Sequence, residues 1–215
     1  VIISHNNRFV FVHIQKTAGK SLRRFLFDNF SDAEFYKGTH DFARVAFEEL
    51  GKAWWSKSFS FAFVRNPWDR LVSWYSMVHK RSHRLSEEEK GTSGAYNKLW
   101  QYVHEHSSSF EEFVLNCTAA IEDHDGVKSF WFNQLDYITD KNGKVIVDFI
   151  GRYENLETDF REVARRLGVE KPALTHRNPS KHAHYSRYYT PEITEIVRAR
   201  YWRDIAFFGY EFESD

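Results

Sequence analysis

The stretch FVFVHIQKTAGKSLRRFL, residues 9–26, changes its hydrophobic period halfway. Residues 9–14 form a short apolar run rich in β-branched and aromatic side chains, which predicts a buried strand. From about Gly19, the residues Leu22, Phe25 and Leu26 recur at helical spacing. Between the two lies a turn whose tail, Gly19-Lys20-Ser21, matches the end of a Walker A loop, while Ile14 stands where that motif has its first glycine. A strand that feeds a glycine turn and then a helix is an anion site, because free amides and the helix dipole both favour negative charge. Gly19 permits close backbone approach, Thr17 and Ser21 offer hydroxyls, and Lys16 and Lys20 supply charge. The plain alternative is an ordinary strand–turn–helix with solvated lysines.

The same logic repeats in FSFAFVRNPWDRLVSWY, residues 59–75. FSFAFV reads as a second buried strand, and a helix begins at Pro67, a residue tolerated in the first turn. Trp68, Leu71, Val72, Tyr75 and Val78 give that helix an apolar stripe. Arg65 falls at the carboxyl edge of the strand, where ligands of open α/β sheets bind, and a guanidinium can clasp a phosphate with two hydrogen bonds. Ser73 lies two turns further on. Alternatively, Arg65 pairs with Asp69 as a structural salt bridge. Two phosphate-holding strand ends predict a ligand with phosphate at two separate positions. A Mg-dependent P-loop nucleoside triphosphatase needs a metal-binding carboxylate at a strand end. Arg65-Asn66 stands there instead, so phosphate is expected to be held directly, without metal.

The remaining chain alternates between elements. Residues 35–41 read as a loop and 41–51 as a helix ending at Gly51. Residues 80–109 are polar, and a short helix follows with Ser109 near its N-cap. Asn142-Gly143 lies between two extended runs and signals a hairpin. Leu156, Phe160, Val163 and Leu167 mark an amphipathic helix, and a last helix begins around Thr190-Pro191. These patterns predict one α/β domain over residues 1–215, a P-loop-like parallel sheet flanked by helices on both faces. Residues 80–127, roughly, would be an acceptor-side insertion. With 30 basic and 30 acidic residues the net charge is zero, so bulk charge gives no case for nucleic acid and none is assigned as a partner. The single cysteine, Cys117, suits a reducing compartment. No apolar run approaches the roughly 18–20 residues of a membrane span. A cytoplasmic protein is expected, with a Golgi-lumenal domain whose anchor has been trimmed as the alternative; oligomeric state stays open.

HIQKTAGKSL followed by FVRNPWDRLVSWY resembles the two signature segments of the PAPS-dependent sulfotransferases. The first segment looks most like the heparan sulfate 6-O-sulfotransferases, the second like the 2-O-sulfotransferases and their bacterial relatives. DFIGRYENLETDF and RYWRDIAFFGYEF also resemble the carbohydrate-directed branch. The resemblance covers roughly residues 9–80 and 127–212. It implies that 3′-phosphoadenosine 5′-phosphosulfate (PAPS) is the sulfuryl donor and 3′-phosphoadenosine 5′-phosphate (PAP) the product. It further implies that Lys16, Thr17, Ala18, Gly19, Lys20 and Ser21 bind the 5′-phosphosulfate, and Arg65 and Ser73 the 3′-phosphate. Lys20 departs from the small hydroxyl residue common at its position. The basic loop from His176 to Arg187 would close over the nucleotide, with Lys181 as a further phosphate contact.

In-line sulfuryl transfer needs a base for the acceptor hydroxyl and cations for the charge on the leaving phosphate. The resemblance assigns the second task to Lys16. FYKGTHDF resembles the segment that carries the family's base, which makes His40 the base, Asp41 the runner-up and Lys37 a substrate contact. An imidazole suits that work near neutral pH. His104, His106, His182 and His184 lack companions at metal spacing, and His13 reads as structural. The acceptor is expected to be a carbohydrate or other hydroxyl compound. Lys80, Arg81, His83 and Arg84 would suit an anionic glycan, and Trp54, Trp55, Trp100 and Trp131 are either sugar platforms or core. Two other functions fit parts of the pattern: a P-loop kinase using Mg-ATP, and a non-catalytic nucleotide- or glycan-binding module.

Overall fold

The computed structural model describes residues 1–82, 98–119, 130–174 and 183–215. The chain divides into two compact units, Val1–Arg65 with Gln134–Pro179, and Asn66–Asn133 with Ser180–Asp215. The first unit holds a five-stranded sheet in the order β3-β1-β2-β4-β5. Its strands are β1 (Ile2–Ser4), β2 (Phe9–Val12), β3 (Glu34–Phe35), β4 (Phe59–Val64) and β5 (Phe149–Arg152). β2, β4 and β5 run parallel, with Phe11 opposite Phe61 and Phe61 opposite Phe149. β1 pairs antiparallel with both β2 and β3. The α/β class and the flanking helices match the expectation, but the sheet is mixed: a parallel core with an antiparallel edge.

The period-2 alternation of the strands decides the core. Phe9, Phe11, Phe61 and Phe63 point to one face, where they meet Leu22, Phe25 and Leu26 of α1 (Gly19–Asn29) and Phe160, Val163 and Ala164 of the helix Leu156–Arg166. Phe11 stacks on Phe61, and Phe25 meets Phe160 edge-on. Gly151 of β5 leaves room for the Phe63 ring, which a Cβ would strike. The alternate residues Val10, Val12, Ala62 and Val64 are fully buried as well, as a parallel core covered on both faces requires. Two further helices, α2 (Ala43–Leu50) and α3 (Lys52–Trp55), follow in this unit; Gly51 between them takes φ 81°.

The predicted hairpin is corrected. Its first arm is helical over Gln134–Ile138, and only the isolated bridge between Thr139 and Val145 remains of the ladder. Tertiary packing explains the change: Tyr137 is fully buried, 4.8 Å from the Phe42 ring, and a strand could not present Gln134 and Tyr137 as this helix does.

The second unit is helical. α4 (Pro67–Ser82) buries Trp68, Leu71, Val72 and Val78. Asn66 caps it, accepting the Trp68 N–H at 3.1 Å and donating from its amide to the Glu211 carbonyl at 2.9 Å. The Trp68 indole donates to Thr194 of the helix Pro191–Arg200, and the Tyr189 hydroxyl to the Trp68 carbonyl. Ser109 caps Phe110–Glu112 as expected, but the chain continues as a π-helical turn, Phe113–Cys117. The helix Lys98–His106 lies in the stretch whose sequence reads only as polar. Among the described residues no helix is long and apolar enough to cross a membrane.

Candidate active site

The turn between β2 and α1 is left-handed at two non-glycine residues, Lys16 at φ 69° and Ala18 at φ 68°. Each such residue costs about 1 kcal/mol or more, and a turn of this kind aims successive N–H groups into a concavity suited to an anion. Ala18 is the N-cap of α1 and has no side chain with which to cap it. The Ser21 and Leu22 amides both turn back to the Ala18 carbonyl. Thr17 is fully buried, and its hydroxyl donates to the Ile14 carbonyl at 2.9 Å. The expected Thr17 hydroxyl donor is thus spent on closing the loop. Ile14 itself is core.

Arg65, at the end of β4, is 3 % exposed. A buried guanidinium needs compensation, and two partners supply part of it. Its carbon lies 3.9 Å from the centre of the Tyr153 ring, a cation–π contact. Its Nη1 donates to the Lys16 carbonyl at 3.3 Å, which ties the second strand end to the left-handed turn. The backbone of Arg65 is fixed by Gln134, whose amide oxygen accepts its N–H and whose amide nitrogen donates to its carbonyl, both at 2.8 Å. Gln134 is completely buried and so acts as one more rung of the sheet. Neither Gln134 nor Tyr153 is a candidate site residue by sequence: Gln134 carries no motif, and Tyr153 falls in DFIGRYENLETDF, a segment that resembles the family without marking any one residue.

His40 reaches the same unit's first strand end. Its Nδ1 is 2.8 Å from the His13 carbonyl oxygen, and the two imidazoles are 4.3 Å apart. His13 is buried, with its Nδ1 lacking a hydrogen-bond partner. Burial holds its pKa well below 6.5, with the neighbouring His40, Val1 amine, Arg23 and Lys20 adding to the effect, so the ring is neutral. A Cβ on Gly19 would overlap the His13 ring. The space that a side chain at Gly19 would need is therefore taken by this imidazole. Asp41 accepts the Gly38 N–H and closes the turn that presents His40. Lys37, at φ 58°, pairs with Glu49, which also accepts the Tyr36 hydroxyl.

In the second unit Ser73 is buried within α4. His106 stacks on Tyr102 and bonds its carbonyl, and Trp55 donates to the Ile146 carbonyl, so both serve packing. Trp100 is buried, whereas Trp131 is exposed. Arg187 is held by Asp215. Lys181, His83, Arg84, Arg177 and His182 lie outside the described residues, as do the side chains of Lys80 and Arg81.

A sheet with cations and an uncapped helix N-terminus gathered at the carboxyl ends of its parallel strands defines a class of α/β ligand-binding folds. Within that class the chain belongs to the Sulfotransferase family, whose model matches residues 1–211. It is 34% identical over 125 residues to an uncharacterized protein of Archaeoglobus fulgidus, an alignment that covers 56% of this chain and 76% of that relative. No solved structure matches the chain.

Proposed function

We propose that the protein transfers a sulfuryl group from PAPS to a carbohydrate hydroxyl, without a metal, with His40 as the base. The observation that carries this reading is the Arg65–Lys16 contact: a buried cation at one strand end bonded to the left-handed turn at the next. The donor set fits a phosphorylated nucleotide, since the turn offers backbone N–H groups and lysine charge while Arg65 offers a planar guanidinium. When bound, PAPS supplies the sulfuryl group and a phosphate leaving group. Backbone amides from Lys16 to Lys20, with the Ser21 hydroxyl, would hold the 5′ end, and Lys16 would balance the charge that develops on the departing oxygen. The resemblance assigns Arg65 and Ser73 to the 3′-phosphate and makes Lys181 a further phosphate contact. His40 takes the proton of the acceptor hydroxyl as its oxygen bonds to sulfur.

The metal-free part of the reading rests on the second strand end. Asn66 spends its amide on the Trp68 N–H and the Glu211 carbonyl, and Arg65 is a cation. Neither residue is placed as a ligand for Mg²⁺, which takes carboxylate and water oxygens. That also weakens the Mg-ATP kinase reading. A carbohydrate acceptor is supported by the sequence resemblance to the carbohydrate-directed enzymes.

PAP release from PAPS, measured across a panel of neutral and anionic glycans, tests the proposal. At least one glycan should stimulate release in the parent protein, and His40→Ala should abolish that stimulation while still binding PAP. A His40→Ala protein that turned over at the parent rate would remove His40 from the mechanism.

A further inference from the structure

His40 is held by more than its own turn. Its Nδ1 lies 2.8 Å from the carbonyl oxygen of His13. A carbonyl only accepts, so this nitrogen bears the hydrogen, and in the neutral ring the lone pair resides on Nε2. Imidazole free in water prefers the opposite tautomer, so the His13 carbonyl imposes a choice.

What keeps that carbonyl in place is the ring on the same residue. The His13 imidazole stacks on Phe11 at 5.6 Å between centroids, lies 4.3 Å from the His40 ring, and fills the space beside Gly19 that any Cβ would need. It is 4 % exposed, and its Nδ1 makes no hydrogen bond. Packing therefore fixes the ring, and the ring's shape matters more than its nitrogens.

We propose that His13 is a positioning residue for His40: its ring, wedged between Gly19 and His40, aims the His13 carbonyl so that His40 presents a basic Nε2. This rests on reading His40 as the base. The wedge also joins the base to the anion-binding turn, since Gly19 is the first residue of α1. A displacement of that first turn moves His13, and with it the acceptor that sets the tautomer.

Nitrogen-15 NMR of the full chain labelled in histidine reads the tautomer directly, with His40 assigned by the resonance that His40→Gln removes. The parent should show His40 with hydrogen on Nδ1. In His13→Ala, His40 should populate the Nε2–H form, and kcat should fall about 10- to 100-fold, the scale expected of a misplaced catalytic group. PAP affinity should stay within about twofold. His13→Phe, which restores the ring without its nitrogens, should restore both the Nδ1–H tautomer and most of kcat. A role in folding alone would leave the tautomer unchanged and lower kcat and nucleotide affinity together.

An Nε2–H resonance for His40 in the parent would overturn the proposal without any variant, even if His13→Ala failed to fold. So would a His13→Ala protein with unchanged tautomer and kcat, or a His13→Phe protein in which the tautomer was not restored. Failure of the underlying reading looks different: His40→Gln would turn over at the parent rate while the parent's tautomer remained pinned.

Discussion

Arg65 donates from Nη1 to the backbone carbonyl of Lys16 at 3.3 Å, which joins the ends of two adjacent parallel strands through one buried cation. The contact shapes the turn as well as carrying charge, because Lys16 sits at φ 69°. Arg65→Ala should weaken PAP binding by about 1.5–3 kcal/mol, the range of a charge-assisted hydrogen bond. Arg65→Lys should recover only part of this, since an ammonium cannot lie flat on the Tyr153 ring. Calorimetric titration of both variants with PAP checks the order.

Gln134 clamps the backbone of Arg65 from both sides. Gln134→Leu keeps a similar volume but leaves a buried N–H and a buried carbonyl without their partner. Each unmade bond costs about 1–3 kcal/mol, so the variant should be destabilised by several kcal/mol in urea unfolding. Gln134→Glu retains an acceptor for the N–H and should lie between parent and Gln134→Leu.

Asn66 closes the first turn of α4 and reaches the Glu211 carbonyl. Asn66→Ala should cost about 0.5–2 kcal/mol, the usual loss for a helix cap. Asn66→Asp keeps the cap oxygen and loses the amide donor, so it should be the milder change. Thermal denaturation of the two separates the cap from the Glu211 bond.

His13 makes stability depend on pH in a stated direction. Its pKa in the folded chain is held well below 6.5, chiefly by burial. Below about pH 6.5 the unfolded chain therefore binds a proton that the folded chain refuses. This contribution is complete above that pH and is lost as pH falls toward the folded pKa, at no more than about 1.4 kcal/mol per pH unit. His13→Phe should flatten the corresponding part of a stability-versus-pH curve measured by urea unfolding. An unchanged slope would assign the proton to another group.

The two strand–turn–helix segments were legible because their periods switch sharply. β4 runs Phe59–Val64 and α1 begins at Gly19, as the apolar spacing predicts. β1 was hidden, since three consecutive apolar and small residues at the start of the chain show no alternation and its antiparallel pairing with β2 is set by register alone. The Asn142-Gly143 signal speaks for the turn alone and not for its arms. It makes a turn, closed by bonds between Asp140 and Lys144 and between Gly143 and Asp140, but the arm before it is helical. In the site, charged and glycine positions announced themselves by type. The contacts that fix them did not, because Gln134 and Tyr153 act across long sequence separations and His13 acts through its shape and its carbonyl.

The most direct measurement is calorimetric binding of PAP beside ADP and ATP, each with and without Mg²⁺. The account predicts tight binding of PAP, independent of Mg²⁺, and weak binding of both nucleotides that lack a 3′-phosphate. Preference for ATP in the presence of Mg²⁺ would contradict it and would turn the left-handed loop at Lys16 and Ala18 into the phosphate site of a kinase.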